Sequence, residues 1–314
     1  MFTVRKASKG EYGSEPGSAR FLEVPEQAKT FTPDHQIKKS DWIKKVLDES
    51  TGRFNPSTNE PMGDIVMYVH GFNNSVETTL KRHRYIKAAF EKFGFQGSVI
   101  SFDWPSHDTP LNYLEDRWDA KQTANQLVKE GIASFVKLQR PECEINLHLM
   151  AHSMGTYVVR EAFDDADDRR TLASFSWSIS QVLLFGADIS ASSMAEGSSK
   201  SSSLYRHCNR LTNYYNHFDS ALKLSNIKRV GVAPRVGRVG LPQDVPRKAV
   251  DVNCTSRFES VKAVFGDDEF AGHRFYFEDE TFLRDAYLTI LGDTDRSSIA
   301  TRSVENGNLI LTPG

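Results

Sequence analysis

The chain has no apolar run approaching the roughly 18 residues a membrane-spanning helix needs, so no membrane span is expected. Its first residues, MFTVRKASKGEYGSE, carry charge with no hydrophobic segment behind it. A signal peptide is therefore not expected, and the expected location is cytoplasmic. Cysteine is scarce. Cys143, Cys208 and Cys254 are widely spaced, and an odd number argues against a disulfide framework and fits a reducing compartment. There is no HExxH or comparable cluster, so neither a metal nor another cofactor is expected. The glycines of Val236-Gly237-Arg238-Val239-Gly240 lack the strand, spacing and helix of a nucleotide fingerprint, and the stretch reads as a loop. Charge of one sign is also missing. Lys and Arg number 39 against 41 Asp and Glu, a net of -2, which leaves no basic field for a nucleic acid. No internal repeat is visible, and nothing in the sequence signals an oligomeric state.

What is present is 314 residues with 39% hydrophobic content, enough for one large core. No composition break marks a second domain. Residues 1–60 read as an N-terminal extension of strands and loop packed on a sheet, and residues 61–314 as the main body. In the extension, MFTVRKA and ARFLEV have strand character on either side of a Gly/Ser/Pro-rich turn. Asp41 to Glu49 is a short helix candidate with Ser40 as N-cap, followed by loop. From Ile65 the order becomes regular. Strands are predicted at 65–69, 98–102, 145–150, 181–186, 211–217 and 249–253. Helices are predicted at 75–93, 114–139, 154–165 and 280–291, with Trp118 on the apolar side of the second. Strands interleaved with helices of this length predict an α/β fold with a mostly parallel central sheet, helices on both faces and no large cap domain. SASSMAEGSSKSSS (190–203) has few large apolar groups and reads as a mobile surface linker.

The most informative run is INLHLMAHSMG, residues 145–155. Four of its first six residues are large and apolar, then Ser153 sits between the small residues Ala151 and Gly155. That order describes a buried strand, a tight turn and a helix start, which is a nucleophile elbow with Ala in the first small position. A serine hydroxyl is a poor nucleophile until a base removes its proton. Imidazole can take that proton and return it, and a carboxylate behind the ring fixes its tautomer. In an open parallel sheet such groups gather at the carboxyl ends of strands. Asp219 and His273 lie at such places, giving the order Ser, Asp, His. Asp188 also ends a strand and is the rival acid. His273 is preferred as base over His83, His107 and His207 because a glycine precedes it and the apolar FYF follows. His70 and His152 read as structural histidines, and His217 as a strand side chain facing the core or a helix. The backbone N–H groups of Met154 and Phe72 are the expected oxyanion donors. His70, Gly71 and Asn73 of the same turn, with His107 on a neighbouring loop, are expected to border the substrate.

At these residues the chain resembles the α/β-hydrolase superfamily, and more narrowly DUF900, a bacterial family described as esterase/lipase-like. The resemblance is carried by VHGFNNS (69–75), FDWPS (102–106), Tyr113 and Asp116, LMAHSMG (149–155), GADI (186–189) and FDSALKLS (218–225). RVGVAPRVGRVG (229–240) and GHRFYF (272–277) complete it, over roughly residues 60–291. It implies Ser153 as nucleophile, Asp219 as acid and His273 as base. It further implies that Trp104 and Pro105 shape the crevice wall and that Asp116 holds a loop. The expected function is a serine hydrolase acting on a small-molecule carboxylic ester, with a short, medium or aryl acyl group, through an acyl-enzyme. A peptidase or amidase of the same fold is one alternative. A catalytically silent hydrolase-fold binding or scaffold protein is the other.

Overall fold

The computed structural model describes the chain apart from residues 56, 58, 60, 107–112, 137–143, 169–176, 228–232 and 313–314; for 53, 61, 113–117 and 225–227 it describes the backbone only. Twelve strands among the described residues form one sheet. They are β1 (Phe2–Ser8), β2 (Glu11–Leu22), β3 (Gln36–Ile37), β4 (Arg53–Phe54), β5 (Pro61–Val69) and β6 (Ser98–Asp103). Then follow β7 (Glu144–His152), β8 (Ile179–Phe185), β9 (Cys208–Tyr215), β10 (Ala249–Asn253), β11 (Arg302–Glu305) and β12 (Asn308–Leu311). The order across the sheet is β11-β12-β10-β9-β8-β7-β5-β6-β1-β2-β3, with β4 on β5. Every neighbouring pair from β1 to β12 along that path is parallel. Antiparallel partners β2, β3 and β11 finish the two edges.

The strands are buried on both faces, and alternation divides their side chains between two cores. On β5, Ile65, Met67 and Val69 enter one core, with Leu147, Leu149 and Ala151 of β7 beside them. That core is covered by α1 (Lys39–Ser50), α3 (Tyr113–Gln126), α4 (Ala133–Val136) and α5 (Gly155–Asp168), which supply Trp42, Ala124, Phe135 and Val159. Val66 and Tyr68 point the other way, against Phe90 of α2 (Val76–Lys92) and Phe282 of the helix Glu280–Leu291. Ser75 starts α2 as its side chain accepts from Thr78 N–H at 3.2 Å, the cap the helix needs. Among the described residues no helix is long and apolar enough to cross a membrane.

Several local expectations are corrected. The Gly/Ser/Pro-rich stretch near residue 15 is not a turn but the middle of β2, and the chain reverses at Lys9 and Gly10 instead. Gly17 is required there because a Cβ would lie 2.8 Å from Lys6 Cα. α1 begins at Lys39, so Ser40 is inside it and no side chain caps it. Trp118 is 64% exposed, since it lies two positions, about 200° of helix, from the buried Ala120. That helix also passes through a π-helical stretch, Leu127–Ile132, before α4. Residues 190–203 are an ordered, packed segment. Ser201 Oγ donates to Ser193 O at 2.7 Å, Arg160 donates to Ser193 Oγ at 3.0 Å, and Met194 is buried. The segment is held through hydroxyls, which an apolar count does not register. Val236–Val239 is one helical turn rather than loop, and Gly237 lets it close on Ala187, whose N would lie 2.0 Å from a Cβ. β11 and β12 were not predicted. His107 and Cys143 lie outside the described residues, and Asp116 is described only in its backbone.

Candidate active site

β7 delivers the elbow. Ser153, the first residue after the strand, has φ 54°, a left-handed conformation that costs a side-chain-bearing residue roughly 1–3 kcal/mol. The surroundings hold it there. Its N–H donates to Phe185 O at 3.2 Å, and its carbonyl accepts from Thr156 N, Thr156 Oγ1 and Asp188 N. Two glycines admit the turn: a Cβ on Gly155 would lie 2.4 Å from His70 O, and one on Gly71 would lie 2.6 Å from Ser153 Cβ. The close approach of Gly71 sets the backbone of the 70–74 turn directly beside the serine side chain.

Asp219 and His273 meet although they are 54 residues apart, with Asp219 Oδ2 at 2.6 Å from His273 Nδ1. A carboxylate only accepts, so Nδ1 carries the hydrogen and a neutral ring keeps its lone pair on Nε2. Asp219 is fully buried, and its other oxygen caps the helix Ser220–Ile227 by accepting from Leu222 N–H at 2.9 Å. His273 lies not in a plain loop but in a short helical turn, Ala271–Arg274. That turn is tied down by Asn216 Nδ2, which donates to Gly272 O at 2.9 Å, and it rests on buried Phe275, Tyr276 and Phe277. The ring lies over Gly186 (φ 52°), where a Cβ would be 3.1 Å from Nδ1. Gly186 directly follows Phe185, the residue that accepts from Ser153 N–H, so the imidazole and the elbow share one corner of the sheet. His152 links them again. Its Nε2 bonds His273 O at 2.8 Å and its ring is 4.6 Å from that of His273. Burial and the neighbouring His273 hold the His152 pKa well down, so it is a neutral donor.

The other sequence candidates separate. The Asp188 carboxylate pairs with Arg235, whose Nε is 3.1 Å away, whereas the contact to the imidazole comes from Asp219. His70 and Trp104 are fully buried, stacked at 5.4 Å and 6°, and offer no surface to a substrate. They support the 70–74 turn from beneath and are not its wall. Trp104 Nε1 donates to His70 O at 2.8 Å. Gly71 is buried against Ser153, whereas Phe72 is half-buried and Asn73 exposed with φ 54°. His217 is exposed rather than facing the core.

Sequence reasoning overlooked four side chains. Asp103 is buried between Arg5 and His70. Burial raises its pKa, but the Arg5 guanidinium and His70 outweigh this and bring it to about 2. Asn74 ties the turn together, its Nδ2 donating to Gly71 O at 2.7 Å and its Oδ1 accepting from Arg82 at 2.6 Å. Arg82 reaches on to the face of Phe277, 4.4 Å from the ring centre. Asp103 and Asn74 lie inside the FDWPS and VHGFNNS motifs, where a buried carboxylate next to a Trp was a usable signal. Arg5 had none. Among the described residues no group of three or more His, Cys, Asp or Glu is placed to hold a metal ion.

A parallel sheet buried between two helical layers, with a serine elbow at the end of a central strand, defines an α/β-hydrolase fold. Residues 48–280 match the family of alpha/beta hydrolases of unknown function called DUF900, and the chain belongs to that family. It is also 27% identical over 122 residues to the uncharacterized protein alr1448 of Nostoc sp., covering 32% of this chain and 31% of that protein. The chain thus matches less than a third of that relative's length. Weak structural likenesses link it to a putative cell surface hydrolase from Lactobacillus plantarum (13% identity, 74% of this chain and 93% of that one, TM-score 0.40). Another is to Est1E from Butyrivibrio proteoclasticus (12% identity, 76% and 92%, TM-score 0.40).

Proposed function

We propose that the protein is a serine hydrolase that cleaves small carboxylic esters, with short, medium or aryl acyl groups, through an acyl-enzyme. Ser153 Oγ attacks the ester carbonyl while His273 Nε2 takes its proton. Asp219 holds the ring in the tautomer that frees Nε2 and stabilises the imidazolium that forms. The tetrahedral oxyanion is received by the backbone N–H groups of Met154 and Phe72, each such donor contributing roughly 3–4 kcal/mol in systems where one has been removed. His273 then returns its proton to the leaving alcohol, and water repeats the cycle on the acyl-enzyme. The observation that carries this reading is the 2.6 Å contact between the buried Asp219 and His273, whose ring lies over the residue that follows Phe185, the acceptor of the Ser153 N–H. A fully buried carboxylate paired to an imidazole, at the same corner of the sheet as a strained serine, is costly to build for packing alone.

The test is stopped-flow release of 4-nitrophenolate from aryl esters of graded acyl length. A burst equal to the enzyme concentration is expected, and Ser153→Ala should remove both burst and turnover. Turnover surviving in Ser153→Ala would end the proposal. Matched 4-nitroanilides run alongside distinguish an esterase from an amidase, with esters expected to be cleaved faster.

A further inference from the structure

Arg5 stands on β1, outside the residues 48–280 that carry the family match. Its side chain nevertheless ends beneath the turn that bears Phe72. Thr3 and Arg5 are two apart on one strand and so leave it on the same side. β1 runs beside β6 with Thr3 opposite Asp103. Thr3 Oγ1 donates to Asp103 Oδ2 at 2.5 Å, and Arg5 Nε donates to both carboxylate oxygens, at 3.0 and 2.9 Å. A terminal nitrogen of the same guanidinium passes the carboxylate and donates to Asn74 O at 2.8 Å. Thr3, Arg5, Asp103 and Asn74 are all buried.

On the far side of Asp103 stands His70, with Nε2 at 3.1 Å from Oδ1 and Nδ1 at 2.7 Å from Gly71 O. A carbonyl can only accept, so Nδ1 carries a hydrogen. Trp104 N also lies 3.1 Å from Nε2. Asp103 is thus shared between the guanidinium on one side and the imidazole on the other. Without the guanidinium, the buried carboxylate loses its principal counter-charge, the His70 ring is left as its main partner, and the 70–74 turn also loses the Arg5 bond to Asn74 O.

We propose that Arg5 is a positioning residue that fixes the 70–74 turn, through Asp103, His70 and Asn74, in the geometry that stabilises the oxyanion. The N-terminal strand is then part of the catalytic apparatus. This inference rests on reading Ser153, His273 and Asp219 as the hydrolytic site.

The experiment compares wild type, Arg5→Met, Arg5→Lys and Thr3→Val. Each is titrated with a fluorophosphonate to count reactive serines, then assayed for kcat and KM on a 4-nitrophenyl ester and for inhibition by an aryl boronic acid, which forms a tetrahedral adduct. Arg5→Met is expected to lower kcat per titrated site by about 10- to 100-fold, as for a misplaced oxyanion donor, with KM within about threefold. Boronic acid affinity should fall in parallel. Arg5→Lys keeps the charge but not the reach to Asn74, and should fall between. Thr3→Val, which removes one donor and no charge, should lose a few-fold. Were Arg5→Met not to fold, Arg5→Lys and Thr3→Val would carry the comparison. Wild-type kcat and boronic acid affinity in the folded variants, or losses that only track the unfolded fraction, would overturn the proposal. A wild type that neither labels nor turns over would instead remove the hydrolase reading beneath it.

Discussion

Replacing Asp219 by Asn tests the site most sharply, because shape is kept and only a hydrogen-bonding role changes. Asp219 accepts twice, from His273 Nδ1–H at 2.6 Å and from Leu222 N–H at 2.9 Å. An amide offers one acceptor and one donor. If its oxygen stays on Leu222, its NH2 faces the imidazole, Nδ1 must become the acceptor, and Nε2 takes the hydrogen. The ring can then no longer receive the serine proton. Flipping the amide restores the ring but opposes two N–H groups at the helix start, at the cost of the cap, about 1 kcal/mol. The unproductive tautomer is thereby favoured. Loss of the same carboxylate role in a serine protease lowers kcat by about 10⁴. At 1.36 kcal/mol per tenfold, a loss of about 10³ to 10⁴ corresponds to roughly 4–5.5 kcal/mol of activation free energy. The assay is kcat on a 4-nitrophenyl ester, with Asp188→Asn run in parallel and thermal melts on both. Asp219→Asn within tenfold of wild type, together with a thousandfold loss in Asp188→Asn, would refute the reasoning and move the acid to Asp188.

Gly186→Ala places a methyl 3.1 Å from His273 Nδ1 at a residue with φ 52°. It should lower kcat at least tenfold and stability by about 1–2 kcal/mol, read from esterase rates and urea melts; full activity would show that the ring has room to yield. Asp103→Asn leaves the buried Arg5 unpaired and should cost about 3–5 kcal/mol in a urea melt at neutral pH. Asp103 also has a pH signature. Its folded pKa, about 2, lies below its ordinary 3.8, so its contribution is present above pH 4 and disappears as pH falls toward 2. That step, roughly 2 kcal/mol, should be missing from Asp103→Asn; parallel acid profiles for the two proteins would contradict the assignment.

The parts of the fold that were legible in sequence are those where local pattern and tertiary role agree. β10 and the helix 280–291 were predicted to the residue, and β5, β6 and β7 declared themselves as short apolar runs because parallel strands are buried on both faces. The elbow was legible because backbone crowding leaves only small residues at Ala151 and Gly155. Legibility failed where distant partners overrule local preference. β2 runs as strand through Gly13, Pro16 and Gly17 because β1 supplies its pairing. The serines of 190–203 look like linker until Arg160 and Tyr205 are seen to bind within that segment. Arg5 is 98 residues from Asp103, and no spacing rule reaches that far.

Arg302, on β11, reaches back to Asp285 at 2.6 Å with both side chains fully buried, while Tyr214 of β9 and Thr289 donate to the same carboxylate oxygen. On the ribosome the carboxylate is made 17 residues before the guanidinium that neutralises it. Until that arginine emerges, closing the β9 side of the molecule would trap a lone anion in the interior. At the opposite flank, β1 must wait about a hundred residues for β6. Long-range closures thus lie toward both edges of the sheet, and slow, late completion of folding is the expected signature of so many of them.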